Sequence, residues 1–248
     1  MPSWNIHTAH VEHMLSEHRA EGLGIADANA FLFGNYVPDV YVGFMVHDAT
    51  FRIDYCITHV AEPNIIPVPD ADWFWDRYVA RRTPKEAANL SLVLGSWAHL
   101  VADRFYNGYF RTFCSENEVP EGEELRIAKQ SDFDLFGRSL NATSHVQVTP
   151  ELLEAARTFR PYSILADDVA RSIETASAIV DNGGLMALDC TRYRLLDEQW
   201  MWDVYHACAE RLVAWLYAWQ RLISREHSYT STDIRQEAGL PLAGGWSL

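Results

Sequence analysis

Residues Thr83–Phe110 read TPKEAANLSLVLGSWAHLVADRFYNGYF and carry the clearest helix signals in the chain. The first four residues, Thr83-Pro84-Lys85-Glu86, form a capping box in which proline occupies the first helical position. Apolar residues then recur at helical spacing as far as Phe110. The sequence therefore predicts one long, largely buried helix that begins at this box and runs to about Phe110.

Helix signals continue on both sides of this segment. Thr149-Pro150 opens another helix, and Asn182-Gly183-Gly184 is expected to end a helix that begins at Ile164. Between Tyr36 and Pro69, four prolines indicate mostly loop. No two strand-like runs are joined by a hairpin signal, so the sequence predicts an all-α fold. Further helices are expected at 4–18, about 26–36, 72–82, 121–141 and 197–223.

Length and composition are those of a globular protein. The chain has 248 residues, of which 48% are hydrophobic and 22% charged, and a chain of this size can bury a core without disulfides. We expect one domain over residues 1–248. The first residues do not form a secretory signal, no apolar run reaches membrane-spanning length, and the four cysteines have no paired C-x-x-C spacing. These features favour a cytoplasmic protein with reduced thiols.

The charge balance restricts the expected partners. Twenty Lys and Arg residues oppose 34 Asp and Glu residues, which gives a net charge of −14. Such a surface repels phosphate backbones, so duplex nucleic acid is not an expected partner. An acidic site that recruits divalent cations is compatible with the same charge.

Two polar residues interrupt the apolar pattern of the long predicted helix. His99 and Asp103 stand at i and i+4 among leucine, valine and tryptophan residues, so their side chains share one face. An imidazole and a carboxylate that converge in this way form half of a transition-metal site. Gly95, one turn earlier, is expected to leave space beside His99. The alternative explanation is an internal hydrogen bond between His99 and Asp103.

Three residues outside that helix are candidates to complete such a site. His7 lies among the apolar positions of the first predicted helix, Asp39 follows a Val-Pro step, and His59 lies in the segment DYCITHV. Each has a simpler explanation: His7 as a core histidine bonded to a carbonyl, Asp39 as a helix cap or turn residue, and His59 as a half-buried loop histidine. Together with His99 and Asp103 they form a set of five candidate metal ligands.

Asp132 is the sixth candidate ligand. On a helical wheel of residues 121–141 it lies between Leu125 and Phe136, on the apolar side. Lys129 shares that face, so an internal ion pair between Lys129 and Asp132 is the competing explanation.

Four motifs occur in a familiar order within the first 110 residues. They are W-x2-H at Trp4–His7, G-N-x-x-P-D at Gly34–Asp39, T-H at Thr58-His59, and L-G-x-x-A-H-x3-D at Leu94–Asp103. As a set they resemble the zinc-dependent phospholipase C family, which is all-helical and related to the fungal single-strand nucleases. Beyond Phe110 the likeness is looser and centres on KQSDFDLFGRSL.

The resemblance implies a hydrolase that cleaves phosphodiesters with a cluster of zinc ions. Transferred by motif, the metal ligands become His7, Asp39, His59, His99 and Asp103. Asp103 would bridge two ions, and Asp39 would also orient or deprotonate the attacking water as the catalytic residue. The implied substrate is a small phosphoester or a phospholipid.

Two features of the sequence depart from that family. Its members ligate metal through the free amino group of an N-terminal tryptophan, whereas Met-Pro-Ser precedes Trp4 here. They also supply later histidine ligands, whereas this chain has no histidine between Asp103 and His145. We therefore expect one or two zinc ions rather than three. Two alternatives stay open: a nuclease-like phosphodiesterase, and a non-enzymatic helical protein whose metal site is structural or degenerate.

Overall fold

The structure is a computed structural model that describes residues 2–80, 87–182, 192–223 and 229–241. Within these ranges the chain is all-α, as predicted, and its only extended pairing is an isolated antiparallel bridge between Ala61 and Pro69. A 3-10 turn follows the first helix at Ala20–Leu23, and a π-helical turn continues the fifth at Trp75–Val79. The α-helices of the described residues are α1 (Trp4–Glu17), α2 (Ala28–Gly34), α3 (Val37–Val40), α4 (Tyr55–Thr58), α5 (Ala71–Phe74), α6 (Ala87–Glu116), α7 (Glu123–Ser139), α8 (Pro150–Arg157), α9 (Ala166–Asn182), α10 (Glu198–Ile223) and α11 (Ser231–Ala238).

Helix α6 lies at the centre of the fold. Helices α2, α5, α8 and α10 all pack against it. The indole of Trp97 lies within a cluster of tryptophan rings that joins α6 to α10 and to the π-helical turn. Each large apolar side chain that is fully buried in this way stabilises the fold by about 1.5–3 kcal/mol. The residues of α6 that are fully buried include Leu92, Leu94, Trp97, Leu100 and Val101.

Helices α2 and α6 cross with their backbones in contact at Gly34 and Gly95. A Cβ atom on Gly95 would lie 2.1 Å from the Phe31 carbonyl oxygen, and one on Gly34 would lie 2.3 Å from the Leu92 carbonyl oxygen. A side chain at either position would therefore force the helices apart. The prediction that Gly95 leaves space beside His99 is wrong, because the backbone of α2 occupies that space.

Most predicted helices occur close to their expected bounds. Helix α6 continues past Phe110 to Glu116, and the predicted capping box at Thr83–Glu86 lies outside the described residues. The helix expected at 72–82 is observed as α5 followed by the π-helical turn. The segment between Tyr36 and Pro69 is mainly loop, as predicted, but includes the one-turn helices α3 and α4.

The C-terminal third of the fold differs from the prediction by one helix. Helix α11 was not predicted, although Thr230 and Asp233 form a reciprocal capping box at its start. Helix α9 is described as far as Asn182, and the glycines expected to end it lie outside the described residues. None of the described helices is long and apolar enough to cross a membrane. The single domain over residues 1–248 stays a prediction.

Candidate metal centre

Five of the six predicted ligand side chains meet in the interior of the protein. His99 and Asp103 project from α6, whereas His7 comes from α1, Asp39 from α3, and His59 from the residue that follows α4. All five residues are at most 1% exposed. Their potential ligand atoms form two overlapping groups, one of His7, His99 and Asp103 and one of Asp39, His59 and His99, within 4.8 Å in each group. We call these five residues the metal cluster.

The distances within the metal cluster suit a shared ion. His59 Nε2 lies 3.1 Å from His99 Nε2 and 3.5 Å from both Asp39 Oδ1 and Asp103 Oδ2. His7 Nε2 lies 3.4 Å from Asp103 Oδ1, and His99 Nε2 lies 3.8 Å from Asp103 Oδ2. Two ligands of a tetrahedral zinc ion, at bond lengths of about 2.0–2.2 Å, stand about 3.3 Å apart. Each of the two overlapping groups of three side chains could therefore hold a metal ion with little rearrangement.

The backbone fixes the orientation of His99. Its Nδ1 lies 2.7 Å from the carbonyl oxygen of Asn35, and Nδ1 carries the proton because a carbonyl can only accept. Burial, followed by the neighbouring His7, lowers the pKa of His99 to about 3, so the ring is neutral at pH 7. Its Nε2 thus presents a lone pair to the cluster. The contact between Gly34 and Gly95 brings Asn35 into reach.

Hydrogen bonding also indicates which ring nitrogen of His59 carries the proton. The hydroxyl of Thr58 donates to the Tyr55 carbonyl oxygen at 3.2 Å and lies 2.8 Å from His59 Nδ1. Since its one proton is committed, this hydroxyl accepts from His59 Nδ1–H. His59 Nε2 then presents a lone pair that faces the lone pair of His99. Two such lone pairs repel each other unless a proton or a metal ion lies between them.

In each carboxylate of the cluster, one oxygen accepts a hydrogen bond and the other has no hydrogen-bond partner. Trp4 Nε1 donates to Asp39 Oδ2 at 2.9 Å, and the Tyr55 hydroxyl donates to Asp103 Oδ2 at 3.0 Å. Asp39 Oδ1 and Asp103 Oδ1 are buried without a hydrogen-bond partner. Burial alone would raise the pKa of both carboxyls, but the surrounding imidazoles outweigh it and lower each pKa below its ordinary value. Both groups are therefore ionised at neutral pH.

His7 completes the set of unsatisfied groups. Both of its ring nitrogens are buried without a hydrogen-bond partner, and its ring stacks on His99 at a centroid distance of 4.0 Å. A buried polar group without a partner is destabilising and calls for a physical explanation. A cation is a partner that the free nitrogen and carboxylate atoms of the cluster would share.

The donor set also restricts the kind of ion. Three imidazoles and two carboxylates suit zinc, iron and related divalent transition metals. Magnesium and calcium prefer sites made of oxygen ligands alone. The side chains therefore fit the transition metals better than the alkaline earths.

Asp132 is not part of the metal cluster. It is fully buried, but its carboxylate accepts hydrogen bonds of 2.7–2.9 Å from the backbone N–H groups of residues 194–196. These bonds anchor the loop that leads into α10, and the structure does not bring Asp132 together with the other five predicted ligands. Lys129 does not explain its burial either, because the ammonium of Lys129 donates to Asn107 Oδ1 at 3.3 Å.

The residues that orient the ligands were not recognised as such from the sequence. Trp4 and Thr58 belong to motifs that were singled out, but neither had an assigned role. Asn35 acts through its backbone carbonyl, so no side-chain pattern reveals it. Tyr55 and His59 stand at i and i+4, and this spacing was the available signal that one turn would bring both to the same place.

A surface cleft with a volume of about 870 Å³ lies elsewhere, among α1, α2 and α10. Its walls include His13, Trp202 and His206, and none of the five cluster residues lines it. The cleft and the metal cluster are therefore separate features of the molecule.

Comparison with protein-family models, with curated proteins and with solved structures found no match to this chain. The resemblance to the zinc-dependent phospholipase C family rests on the four motifs quoted above. Function has to be inferred from those motifs together with the five buried side chains and their surroundings.

Proposed function

We propose that this protein is a zinc-dependent phosphoester hydrolase of the phospholipase C type. The observation that supports the proposal is the convergence of three imidazoles and two carboxylates whose neighbouring ligand atoms are 3.1–3.8 Å apart. The order of these ligands along the chain also agrees with the motif resemblance. Neither the residue types nor the spacing is explained by packing alone, since several of the polar atoms have no partner.

The two oxygens of Asp103 divide the ligands into two sets. Oδ2 lies near His59 and His99, and these two imidazoles group with Asp39 as ligand atoms for one ion. Oδ1 lies near His7, which would leave a second ion with two protein ligands. An imidazole nitrogen binds one ion, whereas a carboxylate can bridge two, so Asp103 is the bridging ligand in this proposal. The second ion would keep the open coordination positions that a substrate needs.

Divalent ions in such a site supply Lewis-acid activation of water and of a phosphoryl oxygen. Asp39 is the proposed catalytic residue of the chain itself. The indole of Trp4 holds Oδ2, so Oδ1 stays turned toward the cluster, where it can orient a water molecule and accept its proton. The net charge of −14 favours a small phosphoester or a phospholipid over duplex nucleic acid, which places a nuclease-like activity second.

One observation favours a non-enzymatic role instead. Each ligand residue is at most 1% exposed, and a closed site with four protein ligands is typical of structural zinc. An ion held in that way stabilises the fold without any turnover. The hydrolase and the structural site therefore differ in one measurable property, the turnover of a phosphoester by the metal-loaded protein.

The test measures metal content and then turnover on one preparation. Protein purified without an affinity tag is analysed by elemental mass spectrometry and assayed on bis(p-nitrophenyl) phosphate and on phosphatidylcholine. We expect about two zinc ions per chain and hydrolysis of at least one substrate. His99→Gln should lose zinc and activity together. His10→Gln is the matched control, since His10 is also buried but packs on Tyr205 instead of lying in the cluster.

The outcomes separate the two functions. Tightly bound zinc that raises the melting temperature, with no turnover of either substrate, would support the structural site. A chain that binds neither zinc nor any other divalent transition metal after reconstitution would contradict both functions.

A further inference from the structure

The metal cluster is closed off from solvent, so the residues that cover it determine how an ion or a substrate enters. Four residues orient its ligands through hydrogen bonds: Trp4, Asn35, Tyr55 and Thr58. Trp4, Asn35 and Thr58 are at most 4% exposed, whereas Tyr55 is half-buried. Among these four, Tyr55 is the residue that joins the cluster to the surface.

One side chain makes two separate contacts with the cluster. The ring of Tyr55 stacks on His59 with a centroid distance of 3.7 Å and an interplanar angle of 16°. Its hydroxyl donates to Asp103 Oδ2 at 3.0 Å. Tyr55 therefore covers two of the five ligands, and one of them is the carboxylate proposed to bridge two ions.

Tyr55 lies on α4, which is a single helical turn. Helix α4 has four residues, and the side chain of Asp54 caps it by accepting from the backbone N–H of Cys56 at 2.8 Å. A single helical turn has little intrinsic stability, because nucleation is unfavourable and few hydrogen bonds follow. Ile57 on the same turn is 68% exposed, so the outer side of α4 faces solvent. Local movement here breaks few contacts.

The chain that follows this turn is fixed, and the junction is strained. Arg104, Asn107 and Arg111 of α6 donate hydrogen bonds of 2.7–2.8 Å to backbone carbonyls within residues 66–69. Val60 lies between α4 and this fixed segment with a φ of +50°. That conformation is unfavourable for a β-branched residue, and such strain collects where a chain must switch conformation.

We propose that Tyr55 is the gate of the metal cluster. Displacement of its side chain admits a metal ion and the phosphoryl group of a substrate, and its return closes the cluster to water. The inference rests on the proposed function in that the cluster is taken to bind a metal ion. In the closed state, the hydroxyl of Tyr55 also holds the Asp103 carboxylate in its bridging orientation.

Stopped-flow measurement of zinc uptake and of zinc release to a chromogenic chelator tests the gate. In Tyr55→Ala, both rate constants should rise, and release should rise about tenfold more than uptake, because loss of the hydroxyl also weakens metal binding through Asp103. Tyr55→Phe keeps the ring on His59 and loses the hydroxyl, so a smaller rise is expected. Tyr217→Ala is the matched control, because Tyr217 is also half-buried and its hydroxyl lies 3.1 Å from a histidine nitrogen, that of His18. Its rates should equal those of the wild type.

A second measurement, made on the metal-free protein, tests the gate without depending on metal binding. Exchange of the ring C2–H of histidine, followed by mass spectrometry, should become faster at His59 and His99 in Tyr55→Ala while His10 stays slow. Unchanged uptake rates together with unchanged exchange would overturn the gate. A chain that binds no zinc would refute the proposed function, and the exchange measurement would still decide on Tyr55. If Tyr55→Ala does not fold, both measurements are made on Tyr55→Phe instead.

Discussion

Asp103 and Asp132 are both fully buried, yet their surroundings on α6 and α7 differ. The carboxylate of Asp132 accepts three backbone hydrogen bonds, whereas Asp103 has one hydroxyl donor and one oxygen without a partner. Asp103 also faces three imidazoles, and Asp132 faces the backbone of a loop. Burial of a carboxylate therefore does not identify a metal ligand. Unfilled hydrogen-bonding capacity beside other ligand-type side chains is what makes Asp103 a candidate metal ligand.

Matched substitutions of the two aspartates should give opposite results, and these are the largest effects we expect. Asp103→Asn removes the proposed bridging ligand, so metal affinity should fall by at least about 100-fold. Asp132→Asn turns an amide NH2 group toward backbone donors and should lower the free energy of unfolding by about 3 kcal/mol. Zinc titration against a competing chelator and urea unfolding of the metal-free proteins measure the two quantities.

The comparison also fixes the smaller effect of each variant. Asp103→Asn loses the hydrogen bond from Tyr55 and the charge that the neighbouring imidazoles stabilise, so the metal-free protein should unfold at a lower urea concentration, but by less than Asp132→Asn, which faces three backbone donors. Asp132→Asn should retain the wild-type metal content wherever it remains folded. Loss of zinc from folded Asp132→Asn would show that the two regions are coupled and that the comparison is mistaken.

The crossing of α2 and α6 tests whether the ligand region depends on close packing. Gly95→Ala would place a methyl group 2.1 Å from the Phe31 carbonyl oxygen, which forces α2 outward and draws the Asn35 carbonyl away from His99. We expect a loss of about 1–3 kcal/mol in the free energy of unfolding, together with weaker zinc binding. Urea unfolding and zinc titration of the same preparation measure the two effects.

Gly108→Ala is the control on the same helix. A Cβ atom at this position meets no atom within 4 Å, so the substitution should stabilise α6 by about 0.5–1 kcal/mol through helix propensity. Wild-type zinc affinity in Gly95→Ala would show that the contact between Asn35 and His99 is dispensable for binding.

The helices and the candidate ligands could be predicted from residues close together in the sequence. The spacing of His99 and Asp103 places both on one face of a helix, and apolar periodicity predicted that helix and most of the others. His7, Asp39 and His59 stood out because polar residues that suit metals occurred in apolar or proline-containing contexts. The structure brings these five side chains together.

The remaining features depend on contacts between distant parts of the chain. The lone pairs of Asp132 are filled by residues 194–196, which no helical wheel of α7 includes. The role of Gly95 depends on Gly34 approaching from another helix, so the expected free space could not be distinguished from a contact. Helix α11 is the exception, since the local signal of its capping box was present in the sequence.

Asp168 extends the comparison to a third buried carboxylate, which is also saturated with donors. It accepts hydrogen bonds from the Tyr41 hydroxyl at 3.0 Å and from the backbone N–H and hydroxyl of Thr50 at 3.0 and 3.1 Å. Arg171 donates to it at 2.8 Å. Burial raises the pKa of Asp168, but these donors outweigh burial and hold the pKa below its ordinary value of 3.8.

The smallest expected effect is a difference in acid stability that follows from this saturation. A carboxyl whose pKa is lower in the folded than in the unfolded chain stabilises the fold above the unfolded pKa of about 3.9. That contribution is lost as the pH falls through the folded value, because the proton then binds in both states. Urea unfolding of the metal-free protein between pH 7 and pH 3 should show Asp168→Asn less stable than the wild type at pH 7, with the gap narrowing toward pH 3. Parallel curves would mean that donor saturation does not govern the titration of this carboxylate.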